Sequence, residues 1–250
     1  MLPDFRLDGR RALVTGAGRG IGRAVAAGFA AAGAEVTLCA RSRDELDSLA
    51  SEIHAAGGAC DTLVLDVTDD AAVQAALARR PAYDVLLNNA GTNRPKPLSE
   101  VTADDLDAVM SLNVRATILL TRAVTNRMLE EGVQGSVITM SSQMGHVGAA
   151  NRTLYCASKW AVEGFTRALA VELGQSGIRV NTICPTFIET PMTKPFFEDE
   201  GFRQQVLSKI KLGRIGQPQD VVGAAVFLAS DASALMTGSS VMLDGGWTAD

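Results

Sequence analysis

Arg11-Ala-Leu-Val-Thr-Gly-Ala-Gly-Arg-Gly-Ile-Gly22 joins a short apolar run to a cluster of glycines, and a helix-patterned stretch follows at once. Arg11–Thr15 reads as a buried strand. From Gly20 to Ala32, Ile21, Val25 and Phe29 recur at helical spacing, with Ala24, Gly28 and Ala32 alongside. Glycines 16, 20 and 22 let the backbone turn tightly and come close to a diphosphate. The helix start behind them presents free N–H groups and the positive end of its dipole. The spacing is GxxxGxG rather than GxGxxG. A glycine-rich turn alone is equally a flexible loop; here the preceding strand and following helix supply the context that phosphate binding needs.

The same alternation continues outward. Strand-like runs at Glu35–Ala40, Thr62–Asp66, Asp84–Leu87, Gly135–Ser141, Ile178–Ile183 and Ser240–Leu243 are separated by helical patterns. Those patterns cover Arg43–Ala56, Asp69–Ala78, Thr102–Glu130, Leu154–Leu173 and Pro218–Ala229. Thr102 reads as an N-cap, with Asp105 closing a capping box less well than Glu would. Strands alternating with helices predict an α/β chain: a single-domain, doubly wound Rossmann fold, with a parallel sheet of about seven strands and helices on both faces. No linker or repeat divides residues 1–250. One long connection, about 186–212, interrupts the rhythm and reads as a substrate-loop insertion.

Composition narrows the function. A net charge of −5 leaves no basic footprint for nucleic acid. No apolar run is long enough to span a bilayer, and the first eight residues lack a basic stretch followed by an apolar one, so neither a membrane anchor nor a secretory leader is expected. Cys39, Cys60, Cys156 and Cys184 are scattered and read as reduced thiols of a cytoplasmic protein. With only His54 and His146, and no clustered Cys or His, no metal site is expected.

The second strand ends Cys39-Ala40-Arg41, where an NAD-type site would carry an acid for the ribose 2′-hydroxyl. Arg41, with Arg19 inside the glycine turn, favours NADP(H) over NAD(H), because guanidinium matches phosphate geometry. The plainer alternative has Arg41 opening a solvated helix, paired with Asp44 or Glu45. Tyr155 and Lys159 stand four residues apart on one helical face. A phenol titrates near ~10, and an adjacent ammonium favours its ionised form, which suits it to general acid–base work. The same spacing also fits an aromatic side chain packing beside a solvated lysine.

Taken together, the turn Thr15–Gly22, Asn88-Asn-Ala-Gly91, Ser142, Tyr155-Cys-Ala-Ser-Lys159, Pro185-Thr-Phe-Ile-Glu-Thr190 and Asp244-Gly-Gly-Trp247 resemble the short-chain dehydrogenases/reductases in order and spacing. The resemblance spans essentially the whole chain. It implies an NAD(P)-dependent oxidoreductase moving a hydride between nicotinamide and a carbonyl or secondary alcohol. Tyr155 would be the acid/base, and Ser142 (with Ser141 as the neighbouring alternative) would bond the substrate oxygen. Lys159 would bind the nicotinamide ribose and depress the tyrosine pKa, and Asn113 would hold a proton-relay water. Gly16, Gly18, Arg19, Gly20, Ile21 and Gly22 would cradle the cofactor phosphates, with Arg41 at the ribose. Asp66 and Val67 would contact the adenine, and Asn89, Ala90 and Gly91 would line the cofactor. Pro185, Ile188 and Thr190 would lie at the carboxamide end. The family usually has Pro-Gly where this chain has Pro185-Thr186. A β-branched residue does not adopt positive φ cheaply, so a different backbone is expected there.

The nearest branch resembles gluconate 5-dehydrogenases and 3-oxoacyl-carrier-protein reductases, through Ala90–Arg94 and through Leu212-Gly-Arg-Ile-Gly216 onward. A sugar acid or polyol is the expected substrate, with a 3-oxoacyl-carrier-protein or other ketone as the alternative. Arg94, His146 and Arg152 are the candidate substrate contacts, an arginine being suited to a carboxylate; surface or interface roles are the alternative. A non-catalytic nucleotide sensor is the reading from another class. Family precedent also implies a homotetramer, built partly by the helices at 102–130 and 154–173.

Overall fold

The computed structural model describes residues 4–249. Met1–Pro3, part of the stretch read for a leader, lie outside the described residues. Seven strands form one all-parallel sheet: β1 (Arg11–Thr15), β2 (Glu35–Ala40), β3 (Ala59–Val64), β4 (Val85–Asn88), β5 (Ser136–Met140), β6 (Arg179–Pro185) and β7 (Ser240–Leu243). Their order across the sheet is β3-β2-β1-β4-β5-β6-β7. The central strands β4 and β5 are buried throughout, as expected of parallel strands covered on both faces. The chain builds outward from β1 to β3, then crosses back to lay β4 on the other side of β1. That reversal opens a crevice at the carboxyl ends of β1 and β4.

Two apolar layers flank the sheet. On one face, α1 (Gly20–Ala31), α2 (Arg43–Ala55) and α8 (Pro218–Ala229) bury Val25, Phe29, Leu46, Leu49 and Leu228 against β1, β2 and β4. On the other, α3 (Asp70–Leu77), α5 (Thr117–Glu131) and α6 (Thr153–Leu173) bury Val73, Val124, Met128 and Leu173 against Leu13, Leu86 and Val137. Gly28 lets α1 meet α8 closely: a Cβ there would run into Val222.

Three elements differ from the sequence reading. β3 begins at Ala59 because it pairs in register from Glu35 of β2; as a half-exposed edge strand it carries little periodicity to reveal its start. The long helix after Thr102 is not uniform. The capping box of Thr102 and Asp105 is present and starts α4 (Ala103–Met110). A π-helical turn, Ser111–Ala116, then precedes α5. The connection at 186–212 is not a bare loop either. It holds a 3-10 turn at Lys194–Glu198 and α7 (Glu200–Lys209), capped by Asp199. Among the described residues no helix is long and apolar enough to cross a membrane.

Candidate active site

A cleft of about 1070 Å³ opens at the carboxyl ends of the strands. One end is the glycine turn. Thr15 Oγ1 donates to Leu87 O (3.2 Å) and accepts from the N–H groups of Asn89 (3.0 Å) and Ala90 (3.1 Å). Asn89 Nδ2 donates back to the carbonyls of Thr15 (2.9 Å) and Gly16 (3.2 Å). The turn is thus clamped to the end of β4. Gly16 has φ +63°, and a Cβ on Gly22 would strike the Gly16 carbonyl and the Asn89 amide. Arg19 precedes α1 without capping it, so the first-turn N–H groups of α1 have no side-chain partner. Free backbone donors at a glycine-lined helix start are the donor set a diphosphate requires. The residues expected to hold the cofactor all line this cleft except Gly22, which lies just behind the turn.

At the ribose end, Arg41 and Arg19 are exposed and held only loosely, 4.0 Å from Asp66 and 3.9 Å from Glu45 respectively. Arg41 therefore does not pair with Asp44 or Glu45. Contacts that long, in solvent, restrain a side chain little. Asp66 itself is held below the usual carboxylate range by the Thr68 N–H and hydroxyl.

The other end is built by β5, α6 and β6. Ser142, just past β5, donates to Gln143 Oε1 (2.6 Å) and accepts from Met144 N (3.1 Å). Lys159 Nζ, on α6, donates to the Met140 carbonyl (2.7 Å) and lies 5.4 Å from the centre of the Tyr155 ring. Burial lowers the Lys159 ammonium to about 8, against the opposing pull of Cys184 and Glu163. The Tyr155 phenol is pushed up, again chiefly by burial; the Ser142 hydroxyl and the Arg152 guanidinium pull it back. Arg152 is thus a second cation acting on the phenol, beside the expected Lys159, whose ammonium bonds the Met140 carbonyl. Asn113 sits in the π turn and does not line the cleft. Its amide oxygen accepts from Thr92 N (2.8 Å), and its amide nitrogen donates to Thr92 O (2.9 Å) and Ser158 Oγ (3.1 Å).

The three candidate substrate contacts separate. Arg152, immediately before α6, is 7% exposed. Its guanidinium lies 5.0 Å from the Phe196 ring and 5.8 Å from that of Phe187, and no carboxylate among the described residues pairs with it. Its Nη1 has no hydrogen-bond partner, and the side chain lines the cleft beside Tyr155. Arg94 also lines the cleft, but its charge is spent on buried Asp105 (3.0 Å), which Lys96 joins at 2.7 Å. Those cations, with the Thr102 N–H, hold the Asp105 carboxyl far below its ordinary range. His146 is not in the cleft. It follows the 3-10 turn at Gln143–Gly145, and its Nε2 points at Cys184 and Glu163 behind the site.

The sequence reading has Asp105 only as a helix cap, and it does not name as site residues Glu163 or the phenylalanine cluster. The Phe-rich composition of 187–202 was a usable signal for the last. Thr186 has no positive φ: among the described residues Asn151, at +60°, is the only such non-glycine. The Pro185-Thr186 departure therefore follows ordinary backbone.

A family model described as enoyl-(acyl carrier protein) reductase matches residues 16–248. The L-xylulose reductase of Bos taurus is 39% identical over 98% of this chain and 99% of its own. The gluconate 5-dehydrogenase of Gluconobacter oxydans (strain 621H) is 41% identical over 98% of each. The crystal structure of a gluconate 5-dehydrogenase from Burkholderia cenocepacia J2315, in complex with NADP and tartrate, superposes with a TM-score of 0.95 at 36% identity, covering 99% of this chain and 98% of that one. These relatives are dehydrogenases and reductases, which sets aside a nucleotide sensor. The chain belongs to the short-chain dehydrogenase/reductase family and is an NAD(P)-dependent oxidoreductase acting on CH–OH groups.

Proposed function

We propose that this enzyme interconverts the secondary alcohol and ketone of a sugar acid, with NADP(H) as the preferred cofactor. The observation that carries the substrate class is Arg152: a buried guanidinium without an anion, one nitrogen unpaired, beside the reacting tyrosine. A desolvated cation is costly until it meets an opposite charge, and guanidinium takes a carboxylate by two parallel bonds. A neutral polyol leaves that cost in place. The hydroxydicarboxylate held by the Burkholderia enzyme supports the same class. Arg41 and Arg19, loosely held where no acid closes β2, support NADP(H).

Asn89, Ala90, Gly91, Pro185, Ile188 and Thr190, which line the cleft, would hold a nicotinamide whose chemistry is hydride transfer. During oxidation, Ser142 bonds the substrate oxygen and Tyr155 Oη takes the hydroxyl proton; during reduction the same proton returns. Lys159 holds the ribose beside the phenol. Asn113 would hold the relay water that the family likeness implies; its amide atoms bond Thr92 and Ser158, and its main-chain carbonyl accepts from Thr117 Oγ1 at 3.0 Å.

The test is a panel of sugar acids, polyols, acetoacetyl thioesters and simple ketones, run with NADPH and NADH on wild-type enzyme and Arg152→Ala. Sugar acids should be preferred, and the variant should raise their KM by at least ~10-fold, about the 1.4 kcal/mol lower end of losing a charged contact. An unchanged KM overturns the role of Arg152, and a preference for NADH overturns that of Arg41 and Arg19. The family model's description favours a second reading, a reductase of carrier-bound acyl groups; thioesters outrunning sugar acids would establish it. The assembly that accompanies either reading is a homotetramer. Exposed Leu106, Leu129, Trp160 and Val171 on α4, α5 and α6 support it, and sedimentation of a single smaller species would refute it.

A further inference from the structure

Directly behind the catalytic end of the cleft, three elements bring together side chains that hydride transfer does not use. Cys184 Sγ on β6 lies 3.4 Å from His146 Nε2 and 3.3 Å from Glu163 Oε1 on α6. Glu163 Oε2 lies 3.6 Å from the same histidine nitrogen. Cys184 and Glu163 are buried, whereas the His146 side chain is a quarter exposed and lies beside the indole of Trp160. We propose that His146, Glu163 and Cys184 form a binding site for a divalent transition-metal ion of zinc type.

The geometry supports this. A tetrahedral zinc ion with its thiolate near 2.3 Å and its nitrogen and oxygen near 2.1 Å has ligand–ligand edges of roughly 3.4–3.6 Å. Cys184 Sγ and His146 Nε2 already stand nearly one such edge apart, and Glu163 meets each of them with a different oxygen; one ligand atom from each residue lies within 4.8 Å of the others, so a rotation of the Glu163 carboxylate would bring a single oxygen to both. Thiolate, imidazole and carboxylate together suit zinc over magnesium or calcium, which take oxygen sets. The outer contacts are also in place. Ser240 Oγ donates to Glu163 Oε2 (2.6 Å), fixing the carboxylate as ligating carboxylates usually are fixed. Ser141 Oγ lies close enough to favour the anionic forms of Glu163 and Cys184, although it completes no well-aligned bond. Gly145 permits this packing, since a Cβ there would press on Glu163, Ser141 and the Lys159 carbonyl. The sequence shows none of it because the three ligands come from separate elements.

Without an ion, burial pushes the Cys184 thiol up to about 12. Coordination replaces its S–H bond with a sulfur–metal bond and releases the proton to solvent. The group then carries one more positive charge than before, one helical turn from Lys159 and against its ammonium. An occupied site should therefore slow turnover.

Chelator-treated enzyme titrated with Co²⁺ tests the site directly. The wild type should develop the visible bands of tetrahedral cobalt and a thiolate charge-transfer band, with a change in Trp160 fluorescence, and Zn²⁺ should displace both. Cys184→Ala should abolish the charge-transfer band, and His146→Asn, at a partly exposed position where folding is not at risk, should weaken binding at least ~10-fold. Zn²⁺ should inhibit the wild type and spare both variants. Absence of the charge-transfer band in the wild type, or its survival in His146→Asn at unchanged affinity, overturns the site. Equal inhibition of all three proteins overturns its link to Lys159.

Discussion

The wall of the cleft made by β1, β2 and β4 and the wall made by β5, β6 and the segment after them are built from different materials. The first is nearly all backbone. Its shape comes from glycines at 16 and 22, from the Thr15–Asn89 clamp and from the free N–H groups of α1. The second is made of side chains, with burial and charge in tension: a phenol raised by burial, a lysine lowered by it, and an arginine caged by phenylalanines without an anion. A backbone wall recognises what every relative shares, the diphosphate. A side-chain wall can vary without disturbing the first, which is how one fold serves many substrates.

The difference is sharpest at Tyr155. Tyr155→Phe removes the hydroxyl from the second wall and leaves the first untouched. Turnover should fall by roughly 10²–10⁴, the usual contribution of a positioned acid–base group, while NADPH affinity measured by fluorescence titration changes little. A parallel loss of cofactor affinity would mean that the walls are not independent. Gly22→Ala is the converse. The new methyl meets the Gly16 carbonyl, which is backbone and cannot swing aside. Overpacking of this kind costs about 1–3 kcal/mol, to be seen as a lower Tm and weaker NADPH binding. An unchanged Tm would show the turn to be more pliant than its clamp suggests.

Lys159 offers a test in which two readouts move in opposite directions. Its ammonium is lost as pH rises through about 8. If that charge is needed, kcat/KM for carbonyl reduction should fall above pH 8, by up to ~10-fold per unit. The unfolded chain keeps its lysine proton up to about 10.5. Between these values the unfolded state therefore binds more protons, and this group's contribution to stability rises with pH. Activity falling while the denaturation midpoint rises would mark Lys159 as the group titrating. A limb displaced to an ordinary lysine value would show that the cofactor-bound site is wetter than the free one.

The same division explains what could be read from the sequence. Local patterns displayed the first wall: the strand, glycine turn and helix from Arg11 to Ala31, and the Thr102–Asp105 box, all lie within a few residues of one another. Family spacing named Ser142, Tyr155 and Lys159. The partnerships were hidden, because each joins distant elements. Arg94 meets Asp105 across 11 residues, and Cys184 meets His146 across 38. His146 reads from the sequence as a substrate contact, but after the 3-10 turn at Gln143–Gly145 its Nε2 lies against Cys184 and Glu163. The π turn at Asn113 has no proline or glycine to announce it, and its role is visible only when Asn113 is seen to bridge Thr92 and Ser158.

The smallest effect is expected where the chain departs from its family. Thr186 stands in the second wall, directly after β6, half-buried and lining the cleft, with its N–H donated to the Leu243 carbonyl at 3.1 Å. Its hydroxyl has no partner, so removing it costs no hydrogen bond. Its φ is not positive, so a glycine there relieves no strain. The family's glycine should nevertheless weaken this protein slightly, because it frees the unfolded chain: about 0.4–1 kcal/mol, read as a small drop in Tm. NADPH affinity should be unaltered, since the Leu243 contact is made by backbone. If Thr186→Gly instead raises Tm or tightens cofactor binding, the threonine is strained in a way its φ does not reveal, and the end of β6, rather than Arg152 alone, would have to be counted among the features that set the substrate.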